Sequence, residues 1–159
     1  MGGGSHQGIS RAPSRLPGIP VSDVDKALEF YRDRLGWRVD ADIQRGEEFR
    51  VVQVTPTGDG HVSIAFGFGI PMATPGSMRH LELVTSDIVA TREELIERGV
   101  DVSEVYHGPG SPFFPKARIP GPDPERTSYA SYASFADPDG NGWTLQEVNT
   151  RLPGREPTS

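Results

Sequence analysis

Val24, Ala27, Leu28, Tyr31 and Leu35 recur at the spacing of one helix face. Ser22-Asp23-Val24-Asp25 in front of them reads as an N-terminal capping box, and Gly36 behind them as a stop. A short strand is expected before this helix, over residues 16–21. Three further strand-like runs follow it, at 37–43, 49–55 and 61–68. In the last run Val62, Ile64, Phe66 and Phe68 share one face, while His61, Ser63, Ala65 and Gly67 share the other. One face is bulky and the other small, which suits a sheet that packs helices on one side and leaves room on the other. After a Pro/Gly-rich link at 70–77 the order begins again. A strand is predicted at 79–84, then a helix at 86–98 closed by Gly99, then strands at 100–107, 129–135 and 143–149. The last two are joined by Asp137-Pro138-Asp139-Gly140-Asn141-Gly142, a strong hairpin-turn signal.

The halves therefore repeat. Setting Asp23 on Asp87 places Val24 on Ile88 and Tyr31 on Leu95. Each half reads βαβββ, and neither covers both faces of a four-stranded sheet alone, so the two must join edge to edge or swap between chains. The expectation is an α+β fold with two βαβββ modules, at 16–70 and 79–149. Together they would make a single domain over 16–149. Residues 1–15 are Gly/Ser-rich and aperiodic and predict a disordered tail; residues 150–159 predict a second tail.

Composition narrows the function classes. Nineteen Gly and 15 Pro among 159 residues demand many turns, and 35% apolar residues suffice for one core. With no Cys, thiolate chemistry and disulfides are excluded. The net charge is −6, and residues 16–149 hold 12 Lys/Arg against 21 Asp/Glu. A fold this acidic, with no basic stripe, would be repelled by a phosphate backbone, so no nucleic-acid partner is expected. No apolar run approaches the roughly 18 residues of a membrane span, and the first residues lack an apolar leader stretch, so a cytoplasmic protein without membrane contact is expected.

The residues Val21-Ser22-Asp23-Val24-Asp25-Lys26-Ala27-Leu28-Glu29-Phe30-Tyr31, Leu35-Gly36-Trp37 and Asp137-Pro138-Asp139-Gly140-Asn141 resemble the glyoxalase / bleomycin resistance / extradiol dioxygenase superfamily, the vicinal oxygen chelate fold. The resemblance spans about residues 16–149. It implies two βαβββ modules forming a cupped, mostly antiparallel eight-stranded sheet around a cavity, with helices on its outer face, and in the family's enzymes a divalent metal held by the first and fourth strands of each module. Carried over position by position, those ligands fall on Leu16 or Pro17, near Ser63 or Ala65, on His80 and on Thr144. His80 is the only good ligand among them. A catalytic zinc-type site needs about three protein ligands, and harder cations need several oxygens. No metal or other cofactor is therefore expected, although a divalent ion remains open if Glu82 or Glu147 substitutes. Glu147 falls on the strand face opposite Thr144.

His80 and Glu82 share one strand face by alternation, as do Thr144 and Gln146 on the last strand. If those strands are neighbours, four polar side chains point into the cup. They could orient a polar ligand, with His80 as acid/base because imidazole titrates near neutrality. They could equally be a hydrogen-bonded structural cluster. The 108–128 connection carries six prolines around Phe113-Phe114, which reads either as a lid closing on an apolar ligand or as permanently packed rings. Tyr132, Tyr129, Trp37 and Trp143 read first as packing aromatics, with Tyr132 a further candidate for ligand contact. Asp137-x-Asp139-x-Asn141-Gly142 is not a calcium loop, since Val148 stands where the bidentate Glu is needed. The leading functional expectation is a metal-free binder of a small organic drug or metabolite, working as a homodimer. The alternative is an enzyme of the same superfamily, a lyase, isomerase or dioxygenase, using a rearranged metal site or His80.

Overall fold

The structure is a computed structural model and describes residues 16–58, 62–109 and 115–151. Helix α1 (Val24–Leu28) starts where the Asp23 carboxylate accepts from the Lys26 amide at 3.1 Å, and runs on into a π-helical turn over Glu29–Arg34. Gly36, at φ +72°, lets the chain reverse, and the Trp37 amide closes on the Tyr31 carbonyl. Strands β1 (Arg38–Arg45), β2 (Phe49–Thr55) and β3 (Ile64–Phe68) then form a three-stranded antiparallel sheet in the order β1-β2-β3. The second module repeats the sequence with β4 (Leu81–Thr85), α2 (Ile88–Glu97), β5 (Tyr106–His107), β6 (Ile119–Pro120), β7 (Ser131–Ala136) and β8 (Gly142–Glu147). Its sheet has the order β4-β8-β7-β5-β6, with β4 and β8 parallel and the other pairs antiparallel.

Three expectations need correction. The strands form two sheets, of three and five, in place of one continuous eight-stranded sheet. The strand expected at 16–21 shrinks to one parallel bridge, Gly18 to Ala65. Pro17 and Pro20 have no N–H to give, so only the Ile19 amide and the Pro17 carbonyl bond to Ala65, at 2.8 and 3.0 Å. The strand expected at 100–107 is paired as β only at Tyr106–His107. Val100, Val102 and Val105 are buried, but the Ser103 hydroxyl takes the Ser134 amide at 2.9 Å, replacing a ladder bond with a side chain.

One core joins the modules. Ile19, Val24, Tyr31, Val52, Val54 and Phe66 from the first meet Ile88, Leu95, Ala133, Trp143 and Leu145 from the second. At its centre the Tyr31 ring stands 5.2 Å from Trp37, 5.5 Å from Phe66 and 6.1 Å from Trp143. The repeat is visible in contacts as well as in order. A Cβ on Gly36 would meet the Arg98 guanidinium, and one on Gly99 the Arg34 guanidinium, a reciprocal pair across the two helices. On each sheet one face looks into this core and the other is open, with Ile43 at 47% and Val84 at 59% exposure. No helix among the described residues is long and apolar enough to cross a membrane.

Candidate functional site

The open face of the second sheet is set by strand register. Glu82 on β4 pairs with Thr144 on β8, and Thr144 pairs with Ser134 on β7, so three polar side chains stand in one row. One step further the row is Val84, Gln146 and Tyr132, and Tyr132 pairs with Tyr106 on β5. The opposite face of these strands carries Leu81, Leu83, Trp143, Leu145 and Phe135 to the core. Alternation therefore separates the face that carries the polar row from the apolar face turned to the core.

Over the polar row lies a cleft of about 260 Å³, lined by Arg79, His80, Glu82, Thr144, Ser134 and Tyr106, with Pro115 and Arg118 as an outer wall and Trp143, Phe135 and Gly142 completing the lining. The Tyr106 hydroxyl and the Ser134 hydroxyl are 3.0 Å apart. Tyr106 stacks on Tyr132 at 5.7 Å between ring centroids, and the Arg118 guanidinium sits 4.2 Å from the Tyr106 ring centroid.

The segment that brings in His80 is pinned from below. The Arg79 guanidinium donates to the carbonyls of Gly76, Met78 and Gly140. The Met78 amide donates to the Asn141 side chain at 3.1 Å, and the Gly142 amide to the Met78 carbonyl at 3.0 Å. His80 then adopts φ +61°, a left-handed conformation that costs free energy for a residue with a Cβ. This twist places His80 before β4, so simple alternation with Glu82 does not reach it, yet both residues line the same cleft.

Of the residues singled out from the sequence, His80, Glu82 and Thr144 come together here. Gln146 and Tyr132 lie behind the cleft. Gln146 is buried and donates to the Tyr129 carbonyl at 3.3 Å, while the Tyr132 hydroxyl donates to the same carbonyl at 2.6 Å. Burial raises the Tyr132 phenol above its ordinary value, opposed by the Gln146 hydrogen bond and helped by the nearby charge of Glu82. Phe113 and Phe114 lie outside the described residues. Arg79, Tyr106, Pro115, Arg118 and Ser134 were not foreseen. Ser134 was legible in principle, two residues from Tyr132 and on the same strand face. Arg118 sits in a proline-rich connection with no periodicity to read.

The four positions at which the superfamily holds a metal can be tested on their donor chemistry. Leu16 and Pro17 carry no donor, Ala65 none, and Thr144 and Ser63 only hydroxyls, which leaves the His80 imidazole. Among the described residues no three His, Asp or Glu side chains come together in a way that could hold a metal ion. Glu147 is no substitute. It is fully buried, accepting from the Ile88 amide at 2.9 Å and paired with Arg126, whose guanidinium holds its carboxyl below the ordinary range. This donor set does not fit a metal centre of the family's kind.

Asp137 and Asn141, in the turn between β7 and β8, are structural. Asp137 is buried and accepts from the Tyr31 hydroxyl at 2.8 Å, the Asn141 side chain at 2.8 Å, and the amides of Asn141 and Asp139. Asn141 in turn donates to the Pro20 carbonyl at 2.8 Å, tying the two modules together.

Comparison with known proteins agrees with this geometry. The family model described as Glyoxalase/Bleomycin resistance protein/Dioxygenase superfamily matches residues 15–145. A glyoxalase/bleomycin resistance protein from Streptomyces sp. CB03234 is 35% identical, with a TM-score of 0.60 over 83% of this chain and 97% of its own. TnmS3, an antibiotic binding protein from the same organism, is 34% identical, with a TM-score of 0.61 over 86% of this chain and 98% of its own. The fosfomycin resistance protein FosX from Listeria monocytogenes shares the fold at 11% identity, with a TM-score of 0.54 over 86% of this chain and 94% of its own. No curated protein matches.

Proposed function

The chain belongs to the glyoxalase/bleomycin resistance protein/dioxygenase superfamily, and from that premise we propose that it binds a small organic molecule, a drug or metabolite, through side chains alone. The observation that carries this reading is a hydroxyl at a family metal-ligand position, set in a row of polar side chains under a cleft. Thr144 stands where a fourth-strand ligand would be, between Glu82 and Ser134, under a cleft walled by Tyr106 and Pro115. Such a site offers hydrogen bonds for orientation and aromatic surface for affinity, the usual division of labour in small-molecule pockets. The 34%-identical antibiotic binding protein supports the same class of role.

A thermal-shift screen of aromatic antibiotics and metabolites tests it, repeated on Thr144→Phe, whose ring would fill the cleft floor. Ligands that stabilise the wild-type protein should lose their effect in the variant while its unliganded melting temperature stays within a few degrees. Stabilisation that persists in Thr144→Phe would place the ligand elsewhere.

A second reading is favoured by one observation, the left-handed backbone that holds His80 at the cleft. Strain of this kind collects at working sites. In that reading His80 is an acid/base group of a superfamily enzyme acting on the bound molecule. Once a ligand that is also converted has been found, His80→Ala should abolish turnover and leave binding largely intact. Full turnover in the variant would end that reading.

A further inference from the structure

We propose that the molecule held in this cleft is a small organic acid, its carboxylate bound by Arg118 where that side chain lies over Tyr106; the inference rests on the binding reading above and specifies its ligand. The Arg118 guanidinium carbon lies 4.2 Å from the centroid of the Tyr106 ring. One ring contact cannot satisfy the five N–H donors of a guanidinium, so donors remain for a ligand. Among the described residues Arg118 has no carboxylate or carbonyl partner: none of the ion pairs involves it, and neither do the hydrogen bonds.

The second cation of the cleft, Arg79, gives one nitrogen to three carbonyls and likewise meets no carboxylate among the described residues. Arg50 by contrast is matched with Asp25 and Asp42, and Arg126 with Glu147 and Asp87. Two guanidiniums without acid partners lining one cleft, in a protein of net charge −6, are a local reversal of sign. They favour an anion in that cleft.

Chemistry and size then restrict which anion. A guanidinium fork matches a planar carboxylate in a two-point contact. The volume, near the lower end of the range of about 300–1,000 Å³ for ligand pockets, suits a small ligand of one or two rings. Glu82 is the one acid in the lining, in the row with Thr144, so a second negative group on the ligand would be repelled there. The assigned ligand is a mono-acid with its charge at the Arg118 end.

The probes are 2-naphthoate and 2-naphthamide, which share ring and shape and differ in charge at neutral pH. Isothermal titration of the full chain at low salt should give naphthoate an affinity at least about tenfold higher than naphthamide. Arg118→Gln should bring the ratio of the two affinities close to one, and Arg118→Lys should restore part of it. Far-UV circular dichroism confirms that each variant is folded. Equal affinities in the wild-type protein would overturn the acid and leave the binding reading standing. A naphthoate preference unaltered in both Arg118 variants would overturn the assignment to this residue. Binding of neither probe would overturn the carboxylate ligand, while the antibiotic and metabolite screen decides the broader reading separately.

Discussion

Tyr31 concentrates at one side chain the forces that join the modules. Its ring is fully buried among Trp37, Phe66 and Trp143, and its hydroxyl both donates to Asp137 at 2.8 Å and accepts from the Trp143 indole at 3.1 Å. Burial and the adjacent Asp137 carboxylate push its phenol far above the ordinary value, so it stays protonated and donating across the working pH range. Tyr31→Phe should cost about 1–3 kcal/mol, because Asp137 loses a donor and the indole an acceptor inside the core. Urea unfolding of wild type and variant checks this, and an unchanged midpoint would show that the triad is not needed. Glu147 gives a pH prediction. Its carboxyl is held below the ordinary value of about 4.3 by Arg126, with the Ile88 amide adding to the effect. The stability this supplies is present above that value and lost as pH falls through the lower folded one. Asp42 and Asp123, also held low, contribute in the same direction. The melting temperature should therefore drop on going from pH 6 to pH 3, and the drop should be smaller in Glu147→Gln. An equal drop in both proteins would remove Glu147 from the account.

Both helices carry the same start and stop signals. Asp23 and Asp87 cap the N-termini through the Lys26 and Ala90 amides, and Gly36 and Gly99 end the helices at φ +72° and +85°. Gly99→Ala would force a Cβ into a left-handed conformation, at about 1–2 kcal/mol. The clash itself is with the mobile end of Arg34, which can move aside. Differential scanning calorimetry should show a lower melting temperature for the variant. These punctuation residues made the helices legible in the sequence, as alternation did for β2, which runs over the expected residues 49–55. Strand 16–21 and strand 100–107 were less legible, because two prolines and one serine hydroxyl interrupt hydrogen bonding without disturbing the apolar pattern. At the site, Glu82 and Thr144 were legible because alternation and one register fix them. His80 reached the cleft by a backbone twist that no periodicity records, and Arg118 by a connection whose path depends on tertiary contacts.

At the scale of the whole chain, the two modules close one core and leave the outer faces of both sheets partly apolar. Val62, at 64% exposure, and Val84, at 59%, line one groove beside the Glu82–Thr144 cleft. Apolar side chains gathered on an open sheet face are a usual mark of an interface, and a homodimer covering that face is the arrangement proposed here. Sedimentation equilibrium should find a dimer, and Val84→Glu should shift it towards monomer; a wild-type monomer at high micromolar concentration would contradict the arrangement. The central claim, however, is that the cleft over Glu82, Thr144 and Ser134 holds an organic ligand with side chains and no metal. The most direct test is the affinity of the best ligand from the thermal-shift screen, measured by isothermal titration on chelator-treated protein and again after adding manganese, iron, nickel or zinc. The account predicts the same affinity in every case. Binding that appears only when a metal is restored would contradict it.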